Sequence, residues 1–312
     1  MASSEEETKG ENTTMPNWLE LPTDLTKNIF QRLDTVDIVI SVRNVCRLWW
    51  NICKDPLMWR TIRMGNIQII HMKLLFTFCC LEKIFRCAIN KSCGHVEDID
   101  VELIVTNDVL EYMAYRASHL RRLRLYCCDD ISDRRLYEFV KKFSLLEELD
   151  ISFSFKEYQD FIEVIGQCCP LLKSLNLERL MFLYFKSYDE VFAIAKWLPG
   201  LRHLKLSRIV VGNVGLLAIL DGCPLLESLD IRQCHRIYLS ESLEKRCHEQ
   251  IKDFQLPTSL VDDDSYYADD YDGDDGLTYK RRTITYYGDE WKSKGSSTVK
   301  LSSPFLFQIR LA

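Results

Sequence analysis

The chain has 312 residues, 47% of them hydrophobic and 28% charged, which supplies ample apolar side chains for a core. Its net charge of −6 gives no reason to expect nucleic acid as a partner. The start Met1-Ala2-Ser3-Ser4-Glu5-Glu6-Glu7 carries neither a basic run nor an apolar run, which argues against a secretory signal. The apolar stretch 67–81 is short and broken by Gln68, His71 and Lys73, so it cannot cross a bilayer as a typical helix.

Residues 1–16 are expected to be disordered, and residues 17–64 form a first unit. Thr23 and Asp24 are capping residues after Pro22, and Leu25, Ile29, Phe30 and Leu33 follow at helical spacing. Asp34-Thr35-Val36-Asp37 breaks that pattern and starts a second helix, with Ile38, Val42, Val45 and Cys46 on one face. A third helix around Leu48–Cys53 carries Trp49 and Trp50 and stops at Asp55-Pro56. Trp59 and Ile62 then begin an extended segment. Three helices this short cannot bury their large side chains among themselves. Cover must come from the following domain or from another protein, and periodicity alone does not choose.

Residues 65–256 repeat. The pattern L-x-x-L-x-L recurs at Val96–Val101, Leu120–Leu125, Leu146–Ile151, Leu172–Leu177, Leu201–Leu206 and Leu226–Ile231, with a degenerate copy at Ile251–Leu256. The last three positions of each copy alternate like a strand with one buried face. Between the strands the spacing predicts helices over Val109–Ala117, Leu136–Phe143, Phe161–Cys168, Val191–Trp197, Val214–Leu220 and Leu243–Ile251. One strand and one helix cannot close a core alone, but stacked copies can. The fold class is therefore α/β: a three-helix N-terminal element, then a curved solenoid with parallel strands on the concave face and helices outside.

The 13 cysteines follow the repeats. Cys93, Cys169 and Cys223 each stand three residues before a repeat's first anchor, and Cys128 and Cys234 take the ninth position of theirs. This placement points to reduced, buried, packing thiols. The rival reading is zinc on Cys79, Cys80, Cys87, Cys93 and His95, but no C-x-x-C pair supports it.

Side chains on the strands that face away from the core are the candidate recognition surface. They occupy the third, fifth and seventh repeat positions. The fifth-position column is Asp100, Arg124, Asp150, Asn176, Lys205 and Asp230. The third is Asp98, Arg122, Glu148, Ser174, His203 and Ser228, and the seventh is Glu102, Tyr126, Ser152, Glu178, Ser207 and Arg232. From these, Arg122, Arg124, Tyr126, Glu148, Asp150, Asn176, His203 and Lys205 are expected to hold a protein target, with Tyr126 as anchor. The alternative is a solvated face whose neighbouring opposite charges pair across strands.

Residues 257–312 are acidic and expected to be disordered, with eight aspartates and no base between Asp262 and Asp275. Asp270, Asp272 and Asp274 match the first positions of a calcium loop, but Asp275 stands where glycine is needed and Arg281 where a glutamate is needed. Lys280-Arg281-Arg282 is a weak nuclear-import signal.

The first unit resembles an F-box. Leu21-Pro22-x-x-Leu25-x-x-x-Ile29-Phe30-x-x-Leu33, then Val42-x-x-Val45-Cys46-Arg47-x-Trp49, then Pro56-x-x-Trp59, match nearly the whole motif in order and spacing. With the repeats behind it, the chain is similar to plant F-box/leucine-rich-repeat proteins. The resemblance implies a non-catalytic receptor subunit of an SCF-type ubiquitin ligase in the nucleus or cytoplasm. Its F-box would dock a Skp-type adaptor, and through it a cullin-RING scaffold, while the repeats hold the target. An interaction scaffold outside any ligase is the alternative. By the resemblance, Leu21, Pro22, Leu25, Ile29, Phe30, Leu33, Val45 and Trp49 touch or shape the adaptor surface. The Trp49-Trp50 doublet departs from the usual single tryptophan and leaves open which ring faces outward. No cofactor, metal or catalytic residue is expected: G-x-S-x-G, P-loop, H-E-x-x-H and G-x-G-x-x-G are all absent from the sequence.

Overall fold

The computed structural model describes residues 18–65, 74–102, 104–126, 131–153, 158–179, 189–235, 237 and 239–257. The segment 1–16, the tail 258–312 with its calcium-loop and basic-run readings, and the side chains of Cys79, Cys127 and Cys128 lie outside these residues.

The first unit is three short helices, α1 (Thr23–Phe30), α2 (Thr35–Ile40) and α3 (Arg47–Ile52). Side chains close the N-termini of α2 and α3, whereas α1 starts after Pro22 with no side-chain cap, and Thr23 and Asp24, expected as caps, lie inside it. The Asp34 carboxylate accepts the Val36 N–H at 2.7 Å, and the Cys46 sulfur accepts the Trp49 N–H at 3.5 Å. Asp55 caps the 3-10 turn Pro56–Trp59 in the same way. It also takes an ion pair from Lys27 of α1 at 2.6 Å, tying the start of the unit to its end.

The unit is fused to the repeats. Trp59 is 1% exposed, and its indole N–H donates to the Cys53 carbonyl at 3.0 Å. The chain then enters β1 (Thr61–Met64), which pairs in parallel with β2 (Asp98–Glu102). The free edge of β1 is partly closed by α2, where the buried Thr35 hydroxyl accepts the Arg63 N–H at 3.0 Å.

From there strand and helix alternate. α4 (Leu74–Lys91) and β2 come first, followed by α5 (Asn107–Arg116), β3 (Arg122–Tyr126), α6 (Asp133–Val140) and β4 (Glu148–Phe153). Next are α7 (Tyr158–Cys168), β5 (Ser174–Arg179), α8 (Asp189–Trp197) and β6 (His203–Val210). The array ends with α9 (Gly212–Gly222), β7 (Ser228–His235), α10 (Glu241–Gln250) and β8 (Asp253–Gln255). The eight strands form one parallel sheet in sequence order, the solenoid the repeats require. Six of its helices match the predicted ones within a few residues. α4 has no predicted counterpart. Its Leu81, Ile84, Phe85, Ala88 and Ile89 are buried at helical spacing, but the aromatic, cysteine-rich run before them reads equally well as strand.

The repeat anchors are the core. Ile99, Val101, Leu123, Leu125, Leu149, Ile151, Leu175 and Leu177 are all buried. Helices behind them pack closely where a side chain is missing: a Cβ on Gly166 would stand 2.5 Å from the Trp197 carbonyl oxygen. At the N-terminal edge of the sheet, one carbonyl per repeat accepts two N–H groups from the next. The Glu97 carbonyl takes Arg121 at 2.8 Å and Arg122 at 2.9 Å, and Arg121, Glu147, Lys173, Arg202 and Glu227 do likewise. The side chains of these same residues pair along that edge: Arg60–Glu97 at 2.7 Å, Arg121–Glu147 at 2.5 Å, Lys173–Glu147 at 3.0 Å and Arg202–Glu227 at 2.5 Å.

The repeat thiols Cys169, Cys223 and Cys234 are buried, and each donates to a carbonyl of the preceding repeat, that of Val140, Leu198 and Leu206 respectively. Burial pushes Cys169 and Cys234 up to about 12 and Cys223 up to about 11, so these thiols stay protonated. Cys93 departs from its expected place. The chain turns left-handed at Cys93 (φ 49°) and Gly94 (φ 85°), which leaves Cys93 exposed. Ser92 takes the buried position and donates to the Ile89 carbonyl at 2.7 Å.

Candidate functional site

Two surfaces stand out, one in each part. The first is apolar. Among the described residues fifteen large apolar side chains are exposed, and nine of them lie between Trp18 and Leu57. Leu25 (51%) and Ile29 sit one turn apart on the outer face of α1, and Val45 (60%) stands just before α3. Leu33 and Trp49 are half-buried and pack against the core, Leu21 is half-buried, and Pro22 is exposed. Phe30 is a correction. At 3% exposure it cannot meet a partner, and it stacks edge-on against Trp49 at 5.0 Å. It is the last residue of α1 and points inward with Thr26, so it supports the surface from beneath.

The tryptophan doublet resolves with Trp50 as the outward ring. The Arg43 guanidinium and the Lys54 ammonium lie 5.5 Å and 5.7 Å from its centroid. Trp18, Leu19, Ile40, Leu48 and Leu57 are exposed too. Spacing on helices this short gives no means of ranking their faces, so sequence reading misses them. Beneath the surface, Arg43 Nε and Trp49 Nε1 are buried without a hydrogen-bond partner among the described residues. Such groups carry a free-energy cost.

The second surface is the polar face of the strands. The register places Arg124, Asp150, Asn176 and Lys205 side by side on β3 to β6, and Arg122, Glu148 and His203 along the adjacent column. β1 adds Arg63 beside Asp100 at its head. The charges are not independent. Asp98, expected to face outward, is buried and grips Arg122 at 3.0 Å and Arg124 at 3.2 Å. Arg124 also reaches Glu148 at 3.2 Å, so its charge is already engaged. The Tyr126 hydroxyl donates to Asp150 Oδ2, while Asp150 Oδ1 and Asn176 Oδ1 are buried with no hydrogen-bond partner among the described residues. Burial raises the Asp100, Glu102 and Asp150 carboxyls above the usual range, and like charges nearby add to this at Asp100 and Glu102. His203 and Lys205 are exposed. At the far end two side-chain hydrogen bonds and one backbone hydrogen bond from Arg232 hold Asp230 below the usual range.

The seventh column departs from expectation at Ser152 and Ser207, both buried. Around Ser207 the register of β6 on β7 shifts, and Arg208 adopts a left-handed backbone (φ 59°). Its guanidinium bonds Glu178 at 2.8 Å and the Arg179 carbonyl at 3.1 Å, beside a buried Arg179–Glu190 ion pair. Repeat spacing contains no sign of this cluster. Among the described residues no group of three or more His, Cys, Asp or Glu side chains could hold a metal ion.

Comparison with known proteins agrees with both halves. The F-box-like family matches residues 18–64. Over the longer span the chain is 38% identical to F-box/LRR-repeat protein 22 of Arabidopsis thaliana, covering 88% of each. It is 39% identical to the F-box protein SKIP19 of the same plant, over 81% of this chain and 80% of that one. It is 37% identical to F-box/LRR-repeat protein 9, over 73% of this chain and 92% of the relative.

Proposed function

The chain belongs to the F-box/leucine-rich-repeat family, and from that premise we propose that it is a substrate receptor of an SCF-type ubiquitin ligase. Proteins of this family are in general adaptors without catalysis of their own, and an F-box implies a Skp-type partner. In this reading the apolar residues of the three-helix unit dock the adaptor, and the strand face holds the target protein. Ubiquitin transfer is then driven by proximity, which raises the effective concentration of target lysines near the carrier enzyme.

The observation that carries the proposal is the crowding of exposed apolar side chains into Trp18–Leu57. Exposed apolar surface of this density marks a protein interface. In this reading the exposed Leu25, Ile29, Val45 and Trp50 meet the adaptor, together with the exposed Pro22 and the half-buried Leu21, Leu33 and Trp49, while the buried Phe30 supports them. The fusion through Trp59 and β1 supports the reading, because a receptor that presents its target must not swing freely.

Co-purification of the full chain with a Skp-type adaptor tests it. The double variant Leu25→Asp, Val45→Asp should bind about a thousandfold more weakly, since hot-spot residues contribute about 2 kcal/mol or more each. Its melting temperature should stay unchanged, because both side chains are exposed. A wild-type chain that captures no adaptor would leave the scaffold reading in its place.

A further inference from the structure

The helix side of the first repeats carries a groove that neither surface above uses. It has a volume of about 420 Å³ and is lined by Arg86 of α4 and by Asp108, Glu111, Tyr112, Tyr115 and Arg116 of α5. Its floor is built. Asn90 Oδ1 accepts from the Tyr112 hydroxyl at 2.5 Å and from Arg116 Nη1 at 2.8 Å. This fixes the Tyr112 ring and one guanidinium together. The Arg86 guanidinium lies 4.6 Å from the centroid of the same ring and that of Arg116 lies 5.6 Å away, so both cations are gathered around one tyrosine. Arg86 is anchored through Nε alone, to Glu82 at 2.7 Å. Among the described residues its two terminal nitrogens have no hydrogen-bond partner. Tyr115 stands beside them 84% exposed, more open than any other large apolar or aromatic side chain described.

We propose that this groove is a second docking site, for an acidic peptide segment of a partner protein, with a carboxylate of the peptide bridging Arg86 and Arg116 and an apolar side chain of it lying on Tyr115. Three features select that ligand. A guanidinium held through Nε presents its paired terminal N–H groups as a fork that matches a carboxylate. Tyrosine and arginine are the residues that concentrate binding energy at protein interfaces, and here they line one concavity. The acidic rim sets an upper limit on ligand charge. Arg135 pairs with Glu111 at 3.5 Å, but among the described residues Asp108 has no such partner and would repel a densely charged polyanion. A peptide with one or two carboxylates suits the site, and a nucleic acid does not.

The test is fluorescence anisotropy on the full chain, with a labelled octapeptide of alternating glutamate and tyrosine as probe and its lysine-for-glutamate counterpart as control. The wild-type chain should bind the acidic probe, weaken as salt rises, and ignore the control. Arg86→Gln and Arg116→Gln should each weaken binding about tenfold, and Tyr115→Ala should weaken it with no change in salt dependence. Tyr115 and Arg116 are exposed and Arg86 is half-buried, so melting temperatures should shift by only a few degrees, most for Arg86→Gln, which loses the Glu82 pair. The Leu25→Asp, Val45→Asp variant should bind the probe like wild type, which separates failure here from failure of adaptor docking. No binding by wild type, equal binding by the arginine variants, or displacement of the probe by a single-stranded oligonucleotide at a tenth of the peptide's concentration would each overturn the proposal.

Discussion

The three-helix unit and the repeat array solve the same problem in opposite ways. Both are rich in large apolar residues. The array buries its anchors because each repeat covers the next, and among its described strand-face side chains no large apolar residue is exposed. The helical unit has no second layer, so Leu25, Ile40, Val45 and Leu57 remain at the surface although the sequence around them is no more apolar. Position in a layered fold, more than composition, decides which surface is left apolar. An apolar surface and a paired polar surface in one chain ask for different partners.

The sharpest way to break the contrast is at the joint. Trp59→Ala should destabilise the chain by about 3–5 kcal/mol. Denaturant unfolding followed by two probes, one in each part, should show one shared transition. Two separated transitions would mean that the parts are independent domains. A smaller effect is expected on the strand face. Asp98→Ala should cost about 1–2 kcal/mol, because Arg122 and Arg124 lose their shared acceptor but keep access to water. A neutral result would show that the ion pairs of this face are decorative.

The third prediction has the opposite sign. Asp100 is raised mainly by burial, so its ionised form is disfavoured in the folded chain. Its favourable contribution is full below the unfolded pKa and is lost as pH rises through the folded one. Asp100→Asn should therefore stabilise the protein at neutral pH, and the gain should shrink on acidification. Paired melts at neutral and mildly acidic pH check this, and a gain that grows in acid would refute it. Smallest of all, Lys205→Glu should alter stability by no more than about 0.5 kcal/mol while weakening target capture, as binding assays with an identified target would measure.

The repeat array was legible because its signal is periodic and redundant. Leu123, Leu149 and Leu175 announce strands whose pairing follows from stacking alone. The F-box was legible from the order of Leu21-Pro22, Val45-Cys46-Arg47 and Trp59. What spacing cannot show is the state of a side chain that pairs across repeats. Arg124 reads as a free cation in its column, yet Asp98, from the preceding strand, holds it. Phe30 reads like its neighbour Ile29, yet one faces the core and the other faces out. β1 was visible only as an extended segment, since its partner strand lies beyond an intervening helix.

The doubly accepting carbonyls at the start of each strand have a further consequence. They clamp successive repeats at the start of the strands, and pairing starts from that clamp whatever the length of the repeat. Arg122 meets Glu148, Glu148 meets Ser174 and Ser174 meets His203, although the chain between the last two strands is longer than between the others. A longer repeat therefore leaves the clamped end of the ladder in place. A change in repeat length away from that end moves no clamped pair, so this architecture can vary in length while keeping the starts of its strands in register.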